Sequence, residues 1–169
     1  MAKVFDEIDD RMREWLAGQR MFFVATAPLA GDGLLNLSPK GLDSFAVLGP
    51  HRVAYLDLTG SGVETIAHLR ENGRVVVMFC AFDGPPRIVR FHGRGTATEL
   101  GAPGFDELAA QFPKHDGARA VIEIEVTRIA DSCGYSVPRF RFESDRTQLD
   151  EWTARSAPIS TTRSAIASK

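Results

Sequence analysis

The stretch YLDLTGSGVETIAHLRENGRVVVMF, residues 55–79, places two glycines where a predicted strand passes into a predicted helix. A simple connection does not need both glycines, whereas a turn that brings its backbone against a ligand does. The N-terminus of a helix presents unpaired amides and a partial positive charge, and anions bind there. Thr59, Ser61 and Thr65 add hydroxyl donors around the same turn. Residues 59–65 therefore predict a phosphate cradle.

The same turn also has a purely structural interpretation. Ser61 and Glu64 form a capping box, S-x-x-E, ahead of an apolar run, which predicts a helix from near Ser61 to Asn72 and Gly73. In that case the glycines only relax the entry to the helix. On sequence alone the two interpretations carry about equal weight.

A dinucleotide site is the third interpretation of this region. Gly60-x-Gly62-x-x-Thr65 after a strand, with Asp83 ending the next strand, imitates the fingerprint of a Rossmann unit. Thr65 stands where the third glycine belongs, and the repeated strand-helix units of a parallel sheet are missing downstream. We therefore expect a different fold.

A candidate cation for the cradle lies upstream in LNLSPKGLDSF, residues 35–45. Lys40 sits between Pro39, which fixes the backbone, and Gly41, which relaxes it. A phosphate site needs a cation, and Lys40 is the nearest candidate. The alternative is a lysine on a surface turn. Two polar neighbours complete the segment, Asn36 and Ser38.

A basic stripe follows in PPRIVRFHGRG, residues 85–95. Strand alternation places Arg90, His92 and Arg94 on one face. The stripe is either a solvated surface or one wall of an anionic ligand site with Arg87 at its mouth.

Other chemistries have little support in the sequence. The four histidines are not spaced with cysteines or carboxylates as metal ligands are, so we expect no metal. No G-x-S-x-G elbow or G-x-x-x-x-G-K-[ST] loop occurs. The net charge of −2 gives no reason to expect nucleic acid or an anionic membrane as a partner. Two cysteines and the start MAKVFDEIDD, which has no apolar signal core, favour a cytoplasmic location.

The elements that must position these residues are mostly strands. The pattern predicts one domain over residues 1–152 with an N-terminal helix, in which Val4, Phe5, Ile8, Met12, Trp15 and Leu16 share a face. Residues 153–169 are expected to form a mobile tail. Further helices are predicted after the glycine turn and at 104–112. Strands are predicted at 21–27, 34–38, 52–58, 74–82, 87–97 and 120–129.

Many short strands and few helices indicate a mainly β protein of the α+β class, built on a closed or partly closed antiparallel barrel. The ordered segments FFVATA, NLSPKGLDSF, VAYLDLTGSGVETIAHLRENGRVVVMF and GPPRIVRFHGRG resemble the pyridoxamine 5'-phosphate oxidase-like, flavin-binding split-barrel family. The resemblance covers about residues 22–97. DSCGYSVP, residues 131–138, resembles a late segment of one subgroup.

The resemblance implies a six-stranded antiparallel split β-barrel that forms a homodimer, with flavin mononucleotide (FMN) between the subunits and a small organic molecule as substrate. It implies an oxidoreductase in which a cation such as Lys40 or Arg87 favours the reduced flavin. The residues that it assigns to the cofactor are Asn36, Ser38, Pro39, Lys40, Gly41, Asp57, Leu58, Thr59, Ser61, Gly62, Glu64, Thr65, Arg87 and Ile88.

Two departures from the family pattern shape the functional expectation. The true oxidases carry Ser-Arg-Lys in the turn, whereas Ser61-Gly62-Val63-Glu64 offers no cation and one carboxylate. Their C-terminal Trp and Arg substrate signature is also absent. We therefore do not expect oxidation of pyridoxamine phosphate itself. A deazaflavin or a haem remains an alternative cofactor, and a non-catalytic binding or storage module remains an alternative function.

Overall fold

The computed structural model describes residues 3–60 and 63–155. The described residues form eight strands and four helices. In chain order these are β1 (Lys3–Phe5), α1 (Asp10–Ala17), β2 (Phe22–Thr26), β3 (Asn36–Lys40), β4 (Phe45–Gly49), β5 (Arg52–Leu58), α2 (Glu64–Asn72), β6 (Arg74–Cys80), β7 (Ile88–Glu99), α3 (Phe105–Ala109), β8 (Ala118–Ser132) and α4 (Gln148–Arg155).

The strands join one sheet in the order β3-β2-β6-β7-β8-β5-β4, and β1 pairs with β8. All pairings among the described strands are antiparallel. This confirms the predicted mainly β class and rules out the parallel sheet of a Rossmann unit. The predicted count of six strands is wrong, because β1 and β4 add two.

The sheet curls round its own core. Val24, Val77, Phe91 and Ile122, from four different strands, are fully buried in one apolar cluster. β8 is long enough to hold β7 on one side and both β5 and β1 on the other. The Phe22 ring on β2 lies 5.3 Å from the Phe45 ring on β4, between centroids. Since β4 is the last strand of the order, this contact brings the two ends of the sheet together.

The N-terminal segment differs from its prediction. Val4 and Phe5 lie in β1, where they pair with Ala130 and Ile129 of β8. The helix starts only at α1, because the Asp9 carboxylate caps it by accepting a hydrogen bond from the Met12 amide at 2.8 Å. Met12 and Leu16 are buried as predicted, and α1 ends at Gly18.

Helix α2 follows the glycine turn and packs on β7. It ends at Gly73, whose φ of 68° is left-handed, which confirms the predicted C-terminus. Ser61 and Gly62 lie outside the described residues, and so does the predicted capping box. Val63 occupies the N-cap position and provides no side-chain hydrogen bond to the helix.

The C-terminal part contains an element that the sequence pattern did not predict. α4 covers residues that include 153–155, so the boundary drawn at 152 falls inside a helix. The rest of the predicted tail, 156–169, lies outside the described residues. No helix in the described ranges is long and apolar enough to cross a bilayer.

Candidate ligand site at the split of the sheet

A buried carboxylate holds two cations where the ends of the sheet meet. The Lys40 ammonium lies 2.7 Å from Asp57 Oδ1, and Arg119 Nε lies 2.7 Å from Asp57 Oδ2. The Asp57 side chain is 1% exposed, whereas those of Lys40 and Arg119 are 20% and 19% exposed. We call these three residues the Asp57 cluster. Lys40 is on β3 and Asp57 on β5, so the first pair bridges the split.

Arg119 is the residue that the sequence analysis missed. It stands one position before the predicted strand 120–129, between Ala118 and Ala120. These two alanines pair with Leu58 and Asp57 of β5, and the register is irregular between them. Its Nη1 donates to the Gly60 carbonyl at 3.3 Å. Gly60, at the start of the glycine turn, therefore contacts a cation that is supplied by a strand distant in sequence. A lone arginine at the start of an apolar strand is the only local signal for it.

Three polar side chains predicted for the site also meet. Asn36 Nδ2 donates to Thr65 Oγ1 at 2.9 Å, and Ser38 Oγ donates to Asn36 Oδ1 at 3.0 Å. Thr65 is buried in the first turn of α2, while Asn36 and Ser38 are half-buried on β3. These bonds fix the start of α2 against the edge strand that carries Lys40.

The Tyr55 hydroxyl lies inside this corner. Tyr55 is fully buried, and its hydroxyl meets no hydrogen-bond geometry with any described residue. Burial raises the pKa of Tyr55 far above its ordinary value, and the Asp57 carboxylate raises it further. The Thr65 hydroxyl and the Arg119 guanidinium lower that pKa by less. Tyr55 is therefore a neutral phenol held in the core beside Thr65.

Of the remaining predicted residues, Thr59 and Gly41 have contacts that constrain their positions. Thr59 donates its amide to the Gly117 carbonyl at 2.7 Å, which ties the turn to the start of β8. A Cβ on Gly41 would stand 3.1 Å from the Arg20 carbonyl, so this position favours glycine. Pro39 and Glu64 are exposed and Leu58 is half-buried, and Ser61 and Gly62 lie outside the described residues.

Arg87 and Ile88 lie elsewhere. Register places Val89 opposite Phe79, Phe79 opposite Phe22 and Phe22 opposite Lys40. Three strand spacings thus separate the start of β7 from Lys40, about 14 Å along the sheet. Arg87 Nε instead lies 3.4 Å from Asp131 Oδ2. The guanidinium also lies over the ring of Trp15, at 4.9 Å from its centroid.

The basic stripe of β7 faces outward, as predicted. Arg90 and His92 alternate with the fully buried Val89 and Phe91. Partial burial lowers the pKa of His92, and the guanidinium groups of Arg128 and Arg90 lower it further. His92 and Arg94 border an outer-face cavity of about 470 Å³.

A metal centre has no support in the described part of the chain. No group of three or more His, Cys, Asp or Glu side chains there could hold a metal ion. Cys80 is buried in β6, and burial raises the pKa of its thiol. A Cys80 nucleophile is correspondingly disfavoured, because the thiolate is the reactive form.

The antiparallel split sheet and its polar corner define a class of protein that sequence comparison identifies. A sequence profile described as pyridoxamine 5'-phosphate oxidase matches residues 8–133. The chain belongs to the pyridoxamine 5'-phosphate oxidase family.

Similarity to individual proteins agrees with this assignment. The chain is 46% identical over 138 residues to the pyridoxamine 5'-phosphate oxidase family protein ustO of Aspergillus flavus. The match covers 79% of this chain and 55% of ustO, so the chain spans about half the length of that relative.

Solved structures show the same fold at low identity. HupZ of Group A Streptococcus superposes with a TM-score of 0.56 and 22% identity, covering 74% of this chain and 99% of that one. A Clostridium acetobutylicum protein of the pyridoxinephosphate oxidase family, related to general stress protein 26 of B. subtilis, has a TM-score of 0.55 and 10% identity. That alignment covers 73% of this chain and 86% of the other.

Proposed function

We propose that this protein binds FMN and acts as an FMN-dependent oxidoreductase on a small organic substrate. The observation that carries the proposal is the pair of cations, Lys40 and Arg119, that Asp57 fixes beside the glycine turn. Family membership supports the same ligand class. Because β3 and β8 supply these two cations, the turn does not need the cations of a Ser-Arg-Lys run.

The charges of the corner fit a phosphate monoester. Lys40 and Arg119 contribute two formal positive charges and Asp57 one negative charge, which leaves one positive charge in the Asp57 cluster. The Glu64 carboxylate at the start of α2 is exposed, so water screens its opposing charge. A phosphate monoester carries about −1.5 to −2 charges at neutral pH. The N-terminus of α2 adds amide donors and a partial positive charge, and Val63 does not cap it. The donor set therefore fits an anion held at the glycine turn.

The polar groups beside the cations fit the rest of a nucleotide-like tail. Asn36 and Ser38 line β3 next to Lys40, and both have amide or hydroxyl groups that can bond to alcohols. A bound flavin supplies the hydride and electron transfer, and the role of these residues is to hold and orient it.

We propose a homodimer in which the second copy closes the groove. Arg87 and Ile88 lie about 14 Å along the sheet from Lys40 of their own chain, so the proposal assigns their contact with the cofactor to a second copy. The β2–β3 hairpin exposes three leucines, Leu34, Leu35 and Leu37, at 87%, 81% and 66%. Exposed apolar groups in this density mark an association surface.

The experiment is identification of the bound chromophore. The purified protein is denatured, and the supernatant is analysed by absorbance and mass spectrometry. The protein is then titrated with FMN, FAD, riboflavin, a deazaflavin and haem. We expect FMN to copurify or to bind most tightly, since it is the smallest phosphorylated flavin. Preference for haem or the deazaflavin, or no binding of any of the five, would contradict the cofactor assignment.

Turnover separates an enzyme from a storage module. With FMN bound, a nicotinamide donor should bleach the flavin absorbance, and an added acceptor should restore it. Tight binding with no reduction of the flavin by NADH or NADPH, and no anaerobic reoxidation of dithionite-reduced flavin by an added organic acceptor, would overturn the oxidoreductase assignment and leave a binding protein.

A further inference from the structure

We propose a second binding site, for a small aromatic carboxylate, in a cavity lined in part by Gly41, Asp43 and Ser44, the segment that follows Lys40. This cavity has a volume of about 330 Å³, at the lower end of the range for ligand pockets. Helix α1, the link to β2 and the start of β4 surround it. We call it the Phe22 cavity. The proposal stands on this cavity alone and does not depend on a flavin.

The floor of the Phe22 cavity is aromatic. Phe22, Phe45 and Phe79 all line it. The ring centroids of Phe22 and Phe79 lie 5.3 Å apart, and those of Phe45 and Phe79 lie 4.8 Å apart at an interplanar angle of 74°. Such mutual packing fixes the rings, and aromatic rings prefer offset or edge-to-face partners. Phe22 and Phe79 are 3% and 1% exposed, so the half-buried Phe45 is the ring that can meet one more planar ring.

The rim of the cavity is cationic. Arg13 donates from Nη1 to the Val47 carbonyl at 3.1 Å, which positions its guanidinium and leaves other N–H groups of the fork for a ligand. Arg20 also lines the cavity, and its guanidinium lies 5.0 Å from the centroid of the Phe142 ring. Within residues 3–60 and 63–155, no carboxylate oxygen lies within 4.0 Å of either guanidinium.

One carboxylate borders the same space and must be counted. Asp43 lines the cavity but is exposed, so it can turn toward water. Two arginines against one aspartate leave one net positive charge over an apolar floor. A ligand with a flat ring and a single negative charge matches both surfaces, because arginine binds carboxylates bidentately.

The segment that follows Lys40 and lines the cavity has an unusual backbone. Leu42 and Asp43 have φ values of 62° and 50°, in the left-handed region that residues with side chains seldom adopt. Ser44 holds this shape by donating its hydroxyl to the Gly41 carbonyl at 2.6 Å. Backbone strain of this kind concentrates at ligand sites, where the surrounding structure maintains it.

Ligand-observed NMR with benzoate as the probe tests the site. Saturation-transfer signals should appear for benzoate, with a Kd on the order of 1 mM for so small a ligand. Benzylamine, which has the same ring and the opposite charge, should give none. Arg13→Gln and Arg20→Gln should each weaken benzoate binding about tenfold, the effect of one charge-assisted bond. Arg11→Gln is the matched control, since Arg11 is exposed on α1 and does not line the cavity.

Two further variants keep the test decisive. Ala17→Trp places a large ring at an exposed position that lines the cavity, and it should abolish benzoate binding without removing a charge. Lys40→Gln should leave benzoate binding unchanged. The proposal is overturned if wild-type protein gives no benzoate signal at about 20 mM. It is also overturned if Arg11→Gln weakens binding as much as Arg20→Gln does, or if loss of Lys40 rather than Arg20 removes the signal.

Discussion

At the scale of single residues, Asp57 determines how the candidate site is built. One buried carboxylate fixes a lysine from β3 and an arginine from β8, each at 2.7 Å. Removing one partner of a buried ion pair leaves the others uncompensated. The positions of both cations therefore depend on a residue that points away from solvent.

Asp57→Asn should lower the free energy of unfolding by about 2–4 kcal/mol. The value lies slightly below that for fully buried pairs, because Lys40 and Arg119 keep some contact with water. Equilibrium unfolding in guanidinium chloride measures this change in free energy. Asp116→Asn is the control, since Asp116 is 80% exposed and 3.8 Å from Lys114. Its loss should change stability by less than about 1 kcal/mol. Equal effects of the two variants would mean that the Asp57 cluster stabilises nothing.

The two thiols should differ in reactivity. Cys80 is buried and its pKa is raised, so less thiolate forms at any pH below that pKa, while Cys133 is exposed. Iodoacetamide should alkylate Cys133 at least about tenfold faster than Cys80 in the native protein. Peptide mass spectrometry over time gives both rates. Similar rates in the native state, or faster reaction at Cys80, would show that β6 is more open than described.

At the residue scale, sequence patterns indicate which residues lie near one turn but do not reveal pairs between distant strands. Lys40, Asn36 and Thr65 were expected near one turn; in the structure Asn36 donates a hydrogen bond to Thr65, and Lys40 pairs with Asp57. Arg119 could not be predicted, because its partner lies on another strand and alternation reports only which face a residue occupies. The pairing of Asp57 with Lys40 was hidden for the same reason.

At the scale of elements, two glycines allow β7 to pack closely. A Cβ on Gly93 would stand 2.2 Å from the Glu125 carbonyl oxygen, beside the irregularity between His92 and Gly93. A Cβ on Gly95 would stand 2.9 Å from a Leu69 methyl of α2. The first contact is with backbone and the second with a flexible side chain, so Gly93 is the more restrictive position.

Gly93→Ala should destabilise the protein by about 3 kcal/mol, the upper part of the range for overpacking, because the β8 backbone must move. Thermal and chemical unfolding measure the change. Gly31→Ala is the matched control, since a Cβ there meets nothing within 4 Å. If the two variants have the same free energy of unfolding, β7 does not approach β8 as closely as the Gly93 distances indicate.

Strand periodicity predicted most elements, and the exceptions have physical causes. The six predicted strands all exist, with ends that shift by a few residues. β1 was mistaken for helix because Val4, Phe5 and Ile8 also fit helical spacing, and its pairing with β8 is a tertiary contact. β4 was missed because its five residues do not alternate between apolar and polar side chains. Long-range pairing decides such short strands.

At the scale of the whole molecule, the fold class followed from strand number and order of segments, whereas the assembly did not. The chain has a mass of 18.5 kDa, and the proposed dimer should elute and scatter with twice that mass. Replacing Leu35 and Leu37 together with lysine should yield a monomer, because charge cannot be buried without a partner. Leu100→Lys, at a site 52% exposed and outside the hairpin, is the control. A wild-type monomer by light scattering at micromolar concentration would exclude the dimer.

The central claim, that the Asp57 cluster holds a flavin phosphate, is tested most directly by comparing FMN with riboflavin, which lacks the phosphate. Calorimetric titration of wild-type protein should give FMN a Kd at least about 100-fold lower than that of riboflavin. In Lys40→Gln and Arg119→Gln that ratio should fall by about tenfold or more, with riboflavin affinity little changed. An FMN-to-riboflavin ratio near one in wild-type protein, or a ratio that neither variant alters, would contradict the account.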